Sequence, residues 1–197
     1  GFLLPDMLAY ASRDVMHLET LAALLHQALE TAGLTQVTDL EMRLLPAVVE
    51  MEAAGISINM SRLTLLRDEA RQKAHDHTTN LRELLGQPGL NPSSPVQLTK
   101  ALKARGIDVD STNEDTLKAA DDGTIIPAVL ALRASEKLAQ QADTLLSHVC
   151  SDGRIHGRFD PTGTATGRFS SKEPNLQNIG RGELRSCFIP APGHKLI

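Results

Sequence analysis

The period of the apolar residues changes near residue 150, and that change constrains the fold of this chain more than any other feature. Up to Val149 they recur three and four apart, the spacing that lines one face of a helix. From Arg154 onward they fall in short runs cut by Gly and Pro. Such a chain is mostly α with a small β portion at the C-terminal end. Residues 6–30 read as one helix with Leu18, Leu21, Leu25 and Leu29 on a stripe, closed by Gly33. Thr38-Asp39-Leu40-Glu41 has capping-box form and starts a second helix, with Leu40, Leu44, Val48 and Met51 inward and an end near Gly55. Residues 56–58 form a short extended link. Asn59 or Ser61 then caps a long polar helix to Leu85, with Gly86 as its stop. Its apolar stripe is thin (Leu63, Leu66, Leu81, Leu84), so it is expected to stand out into solvent.

Ser94-Pro95-Val96-Gln97 is another capping box, with Pro at the first helical position, and the helix it opens ends at Gly106. A short helix follows Thr112. Pro127 opens a last long helix to about Val149, with Leu130, Leu138, Leu145 and Leu146 inward. Extended segments are expected at residues 155–159, 187–189 and 195–197. The whole is a helical body with projecting long helices, followed by the start of a sheet.

Aromatic residues make up 3% of the chain, with no Trp and one Tyr, so the core must be built from Leu, Ala, Val and Ile. Two cysteines, Cys150 and Cys187, give neither metal-ligand spacing nor a disulfide framework and point to a reducing compartment. No apolar run reaches membrane-spanning length and no signal peptide is evident, so a cytoplasmic location without a membrane partner is expected. The net charge of −4 is unevenly spread. Residues 1–60 balance at −6, residues 61–150 at −1 and residues 151–197 at +3. A basic end on an acidic body fits a local phosphate-binding face.

Within that basic end, residues 166–179 read Thr-Gly-Arg-Phe-Ser-Ser-Lys-Glu-Pro-Asn-Leu-Gln-Asn-Ile. Arg168, Asn175, Gln177 and Asn178 supply donors, Thr166, Ser170 and Ser171 supply hydroxyls, and only Phe169, Leu176 and Ile179 are large and apolar. In the minor groove every base pair presents acceptors at purine N3 and pyrimidine O2. An Arg or amide donor there tests the shape of a pair without reading its identity. The hydroxyls suit neutral phosphate contacts. Lys100, Lys103 and Arg105 could touch a duplex backbone, or could equally be the solvated C-terminus of a helix.

The same segment closely resembles the T-x-x-G-R-[LF]-S-S-x-x-P-N-L-Q-N-I-P signature of family A DNA polymerases. The resemblance extends along nearly the whole chain. Residues 44–56 are similar to the family's entry to the thumb, and residues 91–98, with Ser94-Pro95 and Gln97-Leu98, to its thumb tip. Ser111-Thr112 before Glu114, and Arg133 with Lys137-Leu138, match the rest of the thumb, and Gly153-Arg154-Ile155-His156 enters the palm. Gly180, Asn59 and Ala131 depart from the residues usual there. The resemblance implies three regions: the end of a 3′–5′ exonuclease-like domain (1–36), the thumb and its connecting helices (37–150), and the start of the palm (151–197). It implies that Arg168 probes the minor groove at the primer end. Asn175, Gln177, Asn178, Thr166, Ser170, Ser171, Arg133, Lys137, Ser94 and Thr112 would join it on DNA. It implies a DNA-directed DNA polymerase of replication or repair that uses deoxynucleoside triphosphates and two Mg²⁺ ions on palm carboxylates. A monomer in a bacterial nucleoid or an infected cell is expected. Those carboxylates fall outside this sequence, so residues 1–197 alone are expected to be inactive, a fragment cut at both ends.

Tyr10 and Asp14 lie four apart, on one helical face. Tyr-x-x-x-Asp resembles the last motif of the 3′–5′ exonuclease fold, which implies Asp14 as a metal ligand and Tyr10 as the residue that orients a water. Two alternatives stay open: a nuclease of the proofreading or ribonuclease D-like type, and a non-catalytic helical DNA-binding module.

Overall fold

The computed structural model describes residues 5–191 and 193–196. Gly1, Phe2, Leu3, Leu4, Pro192 and Ile197 lie outside the described residues. The chain divides into two compact units between Met51 and Glu52.

In the first unit the expected single helix is two, α1 (Pro5–Val15) and α2 (Leu18–Thr31). The backbone turns at residues 16–17, where the amide of Met16 still reaches the Ser12 carbonyl while the Leu21 amide starts a new ladder on His17. Gly33, at φ +68°, closes α2 as expected. Leu18, Leu21 and Leu25 do share a stripe, but each is more than half exposed. Helix α3 (Thr35–Ala54) starts three residues before the predicted cap. Thr38 is therefore inside it, and its hydroxyl donates to the Leu34 carbonyl at 3.0 Å instead of accepting an amide.

The second unit is built on α4 (Met60–Leu85) and α7 (Ile125–Ser147). They run antiparallel. Leu81 and Leu85 of α4 pack with Ile126, Val129 and Leu132 of α7, while Leu63 and Leu66 pack with Ala142 and Leu145. Helix α4 was expected to stand out into solvent; three of the four residues of its thin stripe, Leu63, Leu66 and Leu81, are instead buried against α7, while Leu84 is half-buried. Ala70 and Ala139, both buried, lie between the two clusters, and Arg67 and Arg71 reach Asp143 there at 3.8 and 2.7 Å. Asn59 is the cap, its Oδ1 accepting the Arg62 amide at 3.0 Å. Gly86, at φ +65°, ends the helix, with Leu85 buried in place of the predicted Leu84.

Helices α5 (Pro95–Ala104) and α6 (Glu114–Ala119) close the outer end of this pair, adding Leu98, Leu102 and Leu117 to its core. Ser94 precedes α5 without capping it; Gln97 Oε1 accepts the Asn91 amide instead. Helix α7 begins two residues before Pro127 because Asp122 Oδ1 accepts the amides of Thr124 (3.2 Å) and Ile126 (2.9 Å). Burial works against that carboxylate's charge, yet these backbone donors hold its pKa below the usual value.

The other end of the pair rests on a three-stranded antiparallel sheet. Its central strand is β1 (Ile56–Ile58), flanked by β2 (Arg154–Ile155) and β5 (Phe188–Ile189). The strand expected over 155–159 is broken at His156 and Gly157. Beyond the break β3 (Arg158–Asp160) pairs with β4 (Ser170–Lys172), unforeseen in the sequence, as a separate two-stranded ribbon. Gly157 lies so close to Leu176 that a Cβ there would sit 2.8 Å from its Cδ1. Lys195 and Leu196, expected in a strand, are in none.

Candidate nucleic-acid interface

The polar segment 166–179 starts in the ribbon's connecting loop, passes through β4 and ends in the turn that follows. Its backbone is fixed by its own side chains. Thr164 Oγ1 accepts the Arg168 amide at 3.1 Å and donates to the Arg168 carbonyl at 2.7 Å. Asn175 Oδ1 accepts the amides of Gln177 (3.1 Å) and Asn178 (3.2 Å), an Asx turn on an exposed residue. Leu176 and Ile179 pack on the core beside the sheet and anchor the turn. Leu176 and Ile179 are therefore its attachment, and Arg168, Asn175, Gln177 and Asn178 lie on its outer surface.

Arg168, Thr166, Asn175, Gln177 and Asn178 are exposed, and Ser170 is half-buried. Ser171 differs from its neighbours. It is 6% exposed, accepts the Leu176 amide at 3.1 Å and donates to the Pro174 carbonyl at 3.4 Å. Its hydroxyl is used inside the turn and shapes the loop rather than facing a phosphate. Among the described residues Arg168, Arg181 and Arg185 form no ion pair, whereas Arg158 and Lys172 are paired with Glu173 (3.1 Å) and Asp160 (4.0 Å). The uncompensated positive charge of this end sits around the loop.

A second group lies at the outer end of α4 and α7. Arg133 donates through Nη1 to the carbonyl of Thr112, and Thr112 is buried, so this pair braces the loop before α6. Ser94 is half-buried and Lys137 is exposed. Ser93 donates to the Glu136 carboxylate, joining the start of α5 to α7. Lys103 bridges Asp108 and Asp110, each at 3.3 Å, and the hydrogen bond it donates to Asp110 leads in raising its pKa. Arg105 donates to the Leu85 carbonyl at the end of α4. Of the three cations considered for backbone contact, Lys103 alone has acidic partners among the described residues.

Tyr10 and Asp14 are both exposed on α1. Among the described residues no three His, Cys, Asp or Glu side chains come together to hold a metal ion. No described helix is long and apolar enough to cross a membrane.

Sequence reasoning missed the residues that tie the ribbon to the rest of the unit. Arg154 donates to the carbonyls of Ala54 (2.6 Å) and Gly55 (2.9 Å) and to the Ser57 hydroxyl (2.6 Å). His156, in the segment that resembles the entry to the palm, turns inward. Its Nδ1 meets the Glu52 carbonyl at 2.9 Å and its Nε2 the Asp152 carboxylate at 3.0 Å. The Glu52 carboxylate in turn accepts the Phe159 amide at 2.6 Å. The one hint in the sequence was Gly55, which sits at φ +59° where a Cβ would lie 2.8 Å from the His156 ring.

Comparison with known proteins gives a consistent picture. DNA polymerase family A matches residues 60–197. The chain is 32% identical over 206 residues to DNA polymerase I of Bacillus subtilis, covering 95% of this chain and 23% of that protein. With DNA polymerase I of Rhizobium leguminosarum the identity is 35% over 208 residues, 95% of this chain and 20% of the relative. Among solved structures, the POL domain of Pol1 from M. smegmatis, in complex with DNA primer-template and dNTP, superposes with a TM-score of 0.72. That match has 32% identity and covers 79% of this chain and 30% of the other. The chain thus spans about a fifth of the length of the curated relatives it matches.

Proposed function

This chain belongs to DNA polymerase family A, and we propose that its second unit holds primer–template DNA for a DNA-directed DNA polymerase. The observation that carries the reading is the loop of residues 166–178. It is a rigid, internally bonded turn whose Arg168, Gln177 and Asn178 side chains are exposed and free of acidic partners. Arg168 donates to minor-groove acceptors at the primer end, where purine N3 and pyrimidine O2 are offered by every pair. Gln177, Asn178 and the Asn175 amide nitrogen extend the same donor row. Thr166 and Ser170 take phosphate oxygens, and Ser171 holds the turn in shape. At the outer end Lys137 and Ser94 meet the backbone, while Arg133 and Thr112 keep that surface in place.

The thumb (37–150) and the start of the palm (151–197) are the regions this reading assigns, with residues 1–36 as the end of an exonuclease-like domain carrying Tyr10 and Asp14. Deoxynucleoside triphosphates and Mg²⁺ belong to the same reading. The described residues bring together no set of ligands that fits a metal, so no step through Mg²⁺ is assigned to them. Their work is to bind and orient the duplex, and the 1–197 chain by itself extends no primer.

A salt series on a primer–template junction tests this. Affinity falls steeply as salt rises. Arg168→Ala weakens junction binding by about 10- to 100-fold, the effect of losing a base-edge donor worth about 1–3 kcal/mol. Wild-type affinity in Arg168→Ala would remove that residue from the interface.

A further inference from the structure

We propose that Glu52 and His156 are positioning residues for the loop of residues 166–178, acting by clamping β3 to the last turn of α3. The consequence for DNA rests on the reading above; the clamp itself does not. Glu52 presents two acceptors to the ribbon. Its carboxylate takes the Phe159 amide at 2.6 Å and its backbone carbonyl takes His156 Nδ1 at 2.9 Å. From Phe159 the connection runs across the ribbon. Phe159 stands opposite Ser171 in the β3–β4 register, and the Ser171 hydroxyl accepts the amide of Leu176 in the turn that presents Gln177 and Asn178. Four residues thus link the end of a helix to the donor row.

The chemistry of the contacts makes His156 the charged member. The carbonyls at a helix C-terminus have no partners within the helix and attract cations. Here they receive two cationic side chains, with Arg154 on Ala54 and Gly55 and His156 on Glu52. The second ring nitrogen of His156 faces Asp152 Oδ2 at 3.0 Å. Both partners only accept, and only the imidazolium donates from both nitrogens. The backbone bond to Glu52 leads in raising its pKa, with Asp152 second and Arg154 opposing. The other charged groups near the ribbon are the Glu52 carboxylate, bonded to the Phe159 amide, Arg158 on β3, paired with Glu173 after β4, and the Asp160–Lys172 pair between β3 and β4. Gly55 makes room for the ring, since any Cβ at its φ of +59° would strike it.

The test is an amide NMR titration of the 1–197 chain with primer–template binding measured beside it. As pH rises, the amides of Phe159 and of residues 168–178 shift with the midpoint of the His156 ring, above the ordinary histidine value. Glu52→Ala displaces the same amides and weakens binding about tenfold, the size of one lost hydrogen bond to a charged group. Glu52→Gln, whose amide oxygen still accepts from Phe159, restores both. Loop amides that stay fixed while His156 titrates overturn the proposal. So do wild-type loop shifts in Glu52→Ala, or loop shifts in Glu52→Gln as large as those in Glu52→Ala. If Glu52→Ala fails to fold, the wild-type titration and Glu52→Gln decide. Amides that move as expected in a chain that binds no primer–template uphold the clamp and overturn the DNA reading instead.

Discussion

The Ser171 hydroxyl accepts the backbone amide of Leu176 at 3.1 Å from a buried position, and so closes the turn that displays Gln177 and Asn178. Ser171→Ala leaves that half-buried amide without its acceptor. The loss is expected to cost about 1–3 kcal/mol and to weaken primer–template binding, although Ser171 offers no free donor to DNA. Denaturant unfolding and a binding titration of the same variant check both. An unchanged unfolding midpoint would show the bond to be dispensable.

Leu98 is fully buried in the outer core, between α5 and the α4–α7 pair. Leu98→Ala should destabilise the second unit by about 2–5 kcal/mol, the transfer loss plus the cavity left behind. Urea unfolding followed by circular dichroism measures it. A cost below 1 kcal/mol would mean that the outer end collapses around the gap.

Asp122 starts α7 by accepting two amides. Asp122→Ala is expected to cost about 0.5–2 kcal/mol, and Asp122→Asn much less because its side-chain oxygen can still cap. Equal losses in the two variants would assign the effect to charge rather than to the cap.

Gly55→Ala combines a left-handed backbone with a Cβ 2.8 Å from both the His156 ring and the Ile155 carbonyl. The substitution should destabilise by more than about 1 kcal/mol and displace the His156 ring resonances. A variant as stable as wild type, with an unmoved His156 signal, would show that the strand relaxes freely around α3.

Stability should have a plateau with opposite causes at its two edges. His156 has a raised pKa, so its contribution is complete below the ordinary value of 6.5 and is lost as pH rises through the folded value. Asp152, held down first by its hydrogen bond from His156, and Asp160, held down first by the Thr162 hydroxyl, contribute above the ordinary value of 3.8. Their contribution is lost as pH falls through their folded values. Melting temperature measured across that range should be flat between the two limits. The alkaline decline should vanish in His156→Asn; if it persists, another group causes it.

The helices were legible where one local rule governs them. Asn59 and Gly86 bound α4 as their residue types demand, and Gly33 closes α2. Local rules failed where a second acceptor competed. Thr38 spends its hydroxyl on the preceding turn, and Asp122 starts α7 ahead of the more conspicuous Pro127. The solvated reading of α4 failed because a thin leucine stripe carries no record of the helix that covers it. In the loop, Arg168, Gln177 and Asn178 were legible as exposed donors from composition alone. Ser171 was indistinguishable from Ser170 in sequence, since only the return of the chain at Leu176 turns one of them inward. Glu52 and His156 are more than a hundred positions apart, and no spacing joins them.

Helix α4 has 26 residues, a rod of about 39 Å at 1.5 Å per residue. One turn of duplex DNA advances about 34–36 Å. On the proposed reading the pair of long helices is also a ruler, because a duplex laid along it would meet its two ends about one full turn apart. Duplexes much shorter than about ten base pairs would reach one end at a time, and grip would rise in a step once both are spanned.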